Sequence, residues 1–108
     1  MAKLLWTLKQ HVGPQPRIGH GMAYDSQAGR TLLFGGQFFQ AARLGDTWQW
    51  DGENWTQFDD IGPPPRSELA MAYDPGRQRT VLFGGSTGGT AALNDTWEWN
   101  GEDWIPGR

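Results

Sequence analysis

Arg30-Thr31-Leu32-Leu33-Phe34-Gly35-Gly36 and Arg79-Thr80-Val81-Leu82-Phe83-Gly84-Gly85 are one phrase written twice, 49 residues apart. A short run of β-branched, aliphatic and aromatic residues stopped by paired glycines reads as a buried strand ending in a turn. The same offset, without a gap, carries Gly13-Pro14-Gln15-Pro16-Arg17 onto Gly62-Pro63-Pro64-Pro65-Arg66 and Met22-Ala23-Tyr24-Asp25 onto Met71-Ala72-Tyr73-Asp74. It also carries Asp46-Thr47-Trp48-Gln49-Trp50 onto Asp95-Thr96-Trp97-Glu98-Trp99. A period of this length marks stacked structural repeats. The chain therefore divides into a leader, residues 1–12, a first repeat, 13–61, and a second, 62–108.

Each repeat reads as four strands: His20–Asp25, Thr31–Phe34, Asp46–Trp50 and Trp55–Phe58 in the first, with counterparts from Leu69, Thr80, Asp95 and Trp104 in the second. Trp-x-Trp places both indoles of a strand on one side of its sheet. Asp51-Gly52 and Asn100-Gly101 read as two-residue hairpins in which both positions take positive φ. No window shows a helical period, so the expected class is all-β. The segment beginning at tryptophan occurs three times, at Trp6, Trp55 and Trp104.

The 108 residues include 16 Gly, 7 Pro and 7 Trp, and no Cys. Disulfides, thiolate metal sites and cysteine nucleophiles are thereby excluded. A net charge of −3 with scattered basic residues argues against nucleic acid as a partner. No apolar run approaches the roughly 20 residues of a membrane span, and Met1–Trp6 lacks the pattern of a secretory signal. The expectation is a chain with no membrane contact, located in the cytoplasm.

Leu-Phe-Gly-Gly followed by Leu93-Asn94-Asp95-Thr96-Trp97-Glu98-Trp99, and a further tryptophan after a turn, resembles the bacterial form of the kelch repeat. Leu44-Gly45-Asp46 departs from it by Gly for Asn. The resemblance implies four-stranded blades of a β-propeller, with roughly five to eight blades closing a ring. It also implies a binding scaffold more often than an enzyme. The copper oxidase relatives need a tyrosine cross-linked to cysteine, and this chain has no cysteine. Two blades leave two open faces, so the expected partner is the chain itself. Three chains making six blades is preferred, and four making eight is second. Leu5, Trp6 and Leu8 would add a strand to the last blade of a neighbour, with Trp97, Trp99 and Trp104 as the other assembly residues.

Strand parity gathers the loops between second and third strands on one face with the connections that precede the first strands. The repeats diverge most there, where Gln37–Arg43 opposes Ser86–Ala92. Phe38 and Phe39, with Gln37 and Arg43, are binding candidates for a protein or small ligand; the plainer reading packs the aromatics onto the blade edge or a subunit seam. Arg17 and Arg66 stand either at the channel mouth, binding a carboxylate, or, as their repetition favours, in a structural role. His20 and Glu68 mark a break in the repeat, and a ring of His20 imidazoles is the one metal reading; no second ligand is evident, so no metal or cofactor is expected. Asp46 and Asp95 are expected to accept backbone hydrogen bonds before the third strand. The resulting expectation is a non-enzymatic, self-assembling scaffold that presents loops for binding. A propeller fragment whose only property is assembly, and a ring enzyme or metal site at the central channel, are the alternatives.

Overall fold

The computed structural model describes residues 13–58 and 61–107. Among these residues there are eight strands and no helix. Strands β1 (Gly21–Asp25), β2 (Arg30–Phe34), β3 (Thr47–Trp50) and β4 (Trp55–Phe58) form one antiparallel sheet in chain order. Strands β5 (Ala70–Asp74), β6 (Arg79–Ser86), β7 (Ala92–Trp99) and β8 (Trp104–Pro106) form the second in the same way. Register follows the repeat: Thr31 pairs with Trp50 as Thr80 pairs with Trp99. The expected strand at Leu5, Trp6 and Leu8 lies outside the described residues. The fourth place in the second sheet is taken by this chain's own β8.

Three local details differ from the sequence reading. The glycine pair ends β2 but not β6, which runs on to Ser86 through an irregularity between Phe83 and Gly85 and pairs Ser86 with Ala92. The Asp51-Gly52 turn is not a two-residue hairpin. Trp50 pairs with Trp55, and the Asp51 side chain accepts the backbone N–H groups of Glu53 and Asn54. Asn100 does the same for Glu102 and Asp103, so an Asx turn sets both corners.

The two sheets stack face to face, and they use opposite faces. Alternate side chains of a strand point to opposite sides. Leu32 and Phe34 of β2, Thr47 of β3 and Phe58 of β4 look toward the second sheet, where Met71, Leu82, Trp99 and Trp104 look back. Phe34 meets Trp104 edge-on at 5.5 Å and Phe58 meets Trp99 at 5.1 Å, an arrangement aromatic quadrupoles favour. The Trp104 indole N–H donates to Thr47 Oγ1 at 2.9 Å, so the one polar atom it carries inward is satisfied. Trp99 and Trp104, expected between chains, are thus buried between the two sheets of one chain, with Trp97 packed at the border of that core. Perfect periodicity assigns both repeats the same environment; stacking order decides which copy is inside.

A main-chain latch holds the same junction. Gly36 N–H donates to Arg66 O at 2.8 Å, Arg66 N–H to Leu44 O at 3.1 Å, and Glu68 N–H to Gly19 O at 2.6 Å. Gly35, at φ +71°, lets this strand approach: a Cβ there would stand 2.6 Å from Arg66 O.

Candidate functional site

The face that parity assigned to the loops is assembled by short contacts. Ile18 bridges Gln37, and Gln37 bridges Arg43, so the connection before β1 and the β2–β3 loop form one surface. Ser67 bridges Ser86 in the second repeat. Arg43 crosses the junction, its Nε donating to Ser67 Oγ at 2.9 Å. A cleft between the repeats is lined by Arg43, Leu44, Gly45 and Asp46 on one side and Gly62–Pro65 on the other.

Beneath this face each repeat holds the same arginine–aspartate cluster, with the guanidinium group buried and the carboxylate partly open to water. Arg17 forms a two-pronged pair with Asp46 at 2.7 and 2.8 Å and also donates to the carbonyls of Gly35 and Gln15. Arg66 does likewise with Asp95, at 2.6 and 2.8 Å, and with the carbonyls of Gly84 and Pro64. Trp48 and Trp97 donate their indole N–H groups to Asp46 and Asp95. Both guanidinium groups face inward, bonding loop carbonyls, so they pin the glycine pair and the proline-rich connection to the start of the third strand. The aspartates differ from expectation: arginine and tryptophan side chains, rather than the turn backbone, are their main partners, because the arginine reaches across the blade to them.

These bonds shift the carboxylates. Arg66 and Trp97 hold Asp95 down at about 2. Burial pushes Asp46 up, but the bonds from Arg17 and Trp48 outweigh it, and its pKa lies below the usual value. A carboxylate with a lowered folded-state pKa contributes stability that is complete above its unfolded value and is lost as pH falls through the folded value. Acid titration followed by tryptophan fluorescence should therefore show stability falling from about pH 4 toward pH 2. Asp95 is partly open to water, so screening leaves its share at about 1 kcal/mol. Asp95→Asn should flatten that acid limb, and an unchanged limb would assign it elsewhere.

Phe38 and Phe39 are both exposed, Phe39 at 79%. They line an apolar recess with Pro16, Arg17 and Ile18. Ile18, 67% exposed, was not distinguished by sequence reasoning; the available signal was its place opposite Ser67, an apolar residue where the other repeat is polar. His20 is exposed at the start of β1. Glu68 takes φ +60° where the first repeat has Gly19 at φ +68°, and its side chain is exposed. No three His, Asp or Glu side chains among the described residues converge as metal ligands.

No family model matches the chain, and no curated protein matches it. The geometry alone carries the functional reading: an inward-facing arginine–aspartate frame, an apolar loop recess, and two sheet faces in unlike environments. On the outer face of the first sheet, Met22, Thr31, Trp50 and Trp55 line a shallow apolar depression. On the outer face of the second, Phe83 and Ile105 are exposed. Among the described residues no helix is long and apolar enough to cross a membrane.

Proposed function

We propose that the chain is a non-enzymatic, self-assembling scaffold of the kelch propeller type, a ring of identical two-blade chains that presents its β2–β3 loops for binding. The observation that carries this reading is the unlike fate of equivalent residues. Phe34 is 1% exposed and its counterpart Phe83 is 51% exposed; Met71 is packed against the core, whereas its counterpart Met22 is 46% exposed. The face the second sheet leaves open is the kind the first sheet buries, and the reverse also holds. One chain's second blade can therefore receive the next chain's first blade as it would receive a third blade of its own. Such a contact is head-to-tail and closes as a ring when the rotation permits.

Three chains making six blades is the preferred ring. Light scattering at micromolar concentration should give three times the 12.1 kDa chain mass. Phe83→Ser removes the aromatic that stands where Phe34 meets Trp104 and should return the mass to that of one chain, with the β-sheet spectrum retained. A folded wild-type monomer at that concentration would remove the reading.

The loop face is the binding surface in this proposal, with Gln37, Phe38, Phe39 and Arg43 foremost and His20 and Glu68 at its inner edge. Its chemistry suits an apolar protein or small-molecule group better than a polyanion, because Arg17 and Arg66 are already engaged with Asp46 and Asp95.

A further inference from the structure

We infer that the seam between chains is an apolar, reversed version of the junction inside the chain, in which Ile18 and Phe39 of one copy close over Ala92 of the next. The inference rests on the head-to-tail assembly proposed above and names the residues that make its contact.

Inside the chain, the junction at the loop face is made by a long side chain from the first blade entering a space between small residues of the second. Arg43 donates to Ser67 Oγ at 2.9 Å, and its guanidinium lies 3.1 Å from where a Cβ on Gly88 would be. Moving each residue by one repeat gives the corresponding positions at the open ends: Arg43 becomes Ala92, Ser67 becomes Ile18 and Gly88 becomes Phe39. Every member changes, and the changes compensate. The long residue of the receiving blade becomes small, while the two small residues of the entering blade become large. Knob and hole have changed sides and polarity has gone from polar to apolar, as expected of a contact selected for complementary volume.

Two observations on the isolated chain point the same way. Phe39 holds φ +55° where its counterpart is Gly88, a left-handed conformation that a bulky residue adopts at a cost. It does so while 79% exposed. Ile18 lies beside it in the same recess. Seating both against Ala92 removes the exposed patch and gives the strained backbone a packing role; Phe39 then serves the seam, and Gln37 and Phe38 are left as the edge of the binding face. By repeat position Gly85 and Leu93 take the places of Gly36 and Leu44, which bond Arg66. In the single chain they pair with each other across β6 and β7, so Arg17 of the next copy would part that pair to form the same main-chain latch.

Two junction types also fix the order of blades. An arginine on the receiving side of a seam would meet Ile18 and Phe39 with no partner for its charge, so first and second blades must alternate.

The test transplants the inner junction into the seam. Ala92→Arg should raise the concentration at which half the chains are assembled by about tenfold or more, because a charge is buried unpaired. Adding Ile18→Ser and Phe39→Gly to Ala92→Arg supplies the partner and the space, and should bring that concentration back to within about threefold of wild type. In a second arm, Ile18→Cys and Ala92→Cys are made separately in this cysteine-free chain, mixed, and treated with a short bismaleimide. A dimer-sized band should form from the mixture and not from either variant alone. Assembly of Ala92→Arg at wild-type concentration, or cross-linking of either variant with itself, overturns the inferred seam while leaving a ring intact. A wild-type chain that stays monomeric overturns the assembly reading beneath it.

Discussion

Arg66→Ala should cost about 2 to 3 kcal/mol of folding stability, because it removes charge-assisted hydrogen bonds and a buried side chain. The Asp95 carboxylate left behind is 40% exposed and is solvated by water. Arg66 is fully buried, and its guanidinium serves Asp95 Oδ1 and Oδ2 at 2.6 and 2.8 Å together with the carbonyls of Gly84 and Pro64 at 3.1 Å. Alanine leaves a carboxylate and two carbonyls without that donor and opens a cavity of side-chain size. The total stability of a domain this size is about 5 to 15 kcal/mol, so the loss is a sizeable share of it. Arg66→Lys should recover less than half of it, because an ammonium cannot hold both carboxylate oxygens and two carbonyls in one plane. Urea unfolding followed by tryptophan fluorescence measures both variants. A loss under about 1 kcal/mol for Arg66→Ala would show that the pair is replaceable by solvent.

The second large effect distinguishes two glycines with the same backbone angle. Gly35 and Gly84 both take φ +71°, so alanine at either incurs a left-handed penalty of about 1 to 2 kcal/mol. Their surroundings differ. At Gly35 the new methyl would stand 2.6 Å from Arg66 O, a backbone atom held by the interblade latch, so the two sheets must part. At Gly84 the nearest atom is Leu93 O at 3.1 Å. In a dilute, unassembled chain, Gly35→Ala should therefore cost about 1 to 2 kcal/mol more than Gly84→Ala. In the proposed ring the relation changes, since Arg17 of the next copy would bring its carbonyl to Gly84. Gly84→Ala should then weaken assembly while scarcely altering the fold of the single chain. Equal costs at low concentration would mean that the latch yields easily.

The strands were legible because the repeat is gapless and its patterning is strong: every residue of β2 and β3 falls within or one position beyond a strand read from the apolar runs. The run of β6 through Gly84 and Gly85 was not, since a local irregularity in pairing leaves no mark that distinguishes it from the strand-ending pair in the first repeat. The arginine–aspartate frame lay half in view. Arg17 with Asp46 and Arg66 with Asp95 recur at one spacing of 29 residues in a chain poor in charge, but no local motif joins residues so far apart. Pairing opposite charges by repeat position would have found it. The burial of Trp99 and Trp104, and the exposure of Phe83, could not be read from periodicity, which treats repeats as equals. Only the stacking of one sheet on the other makes them unequal.

The latch at Gly36, Leu44 and Arg66 is made of peptide groups alone, so it sets the spacing and height of one blade on the next without consulting any side chain. Apart from Arg43, which bonds Ser67, and Phe39, which the proposed seam uses, the β2–β3 loop is thereby released from the task of holding register. Chains carrying different sequences between Gln37 and Arg43 would enter one proposed ring as interchangeable parts, provided that Ile18, Phe39 and Ala92 are kept. Co-expression would then yield mixed rings in binomial proportion, a library of multi-loop surfaces drawn from variants of one two-blade unit.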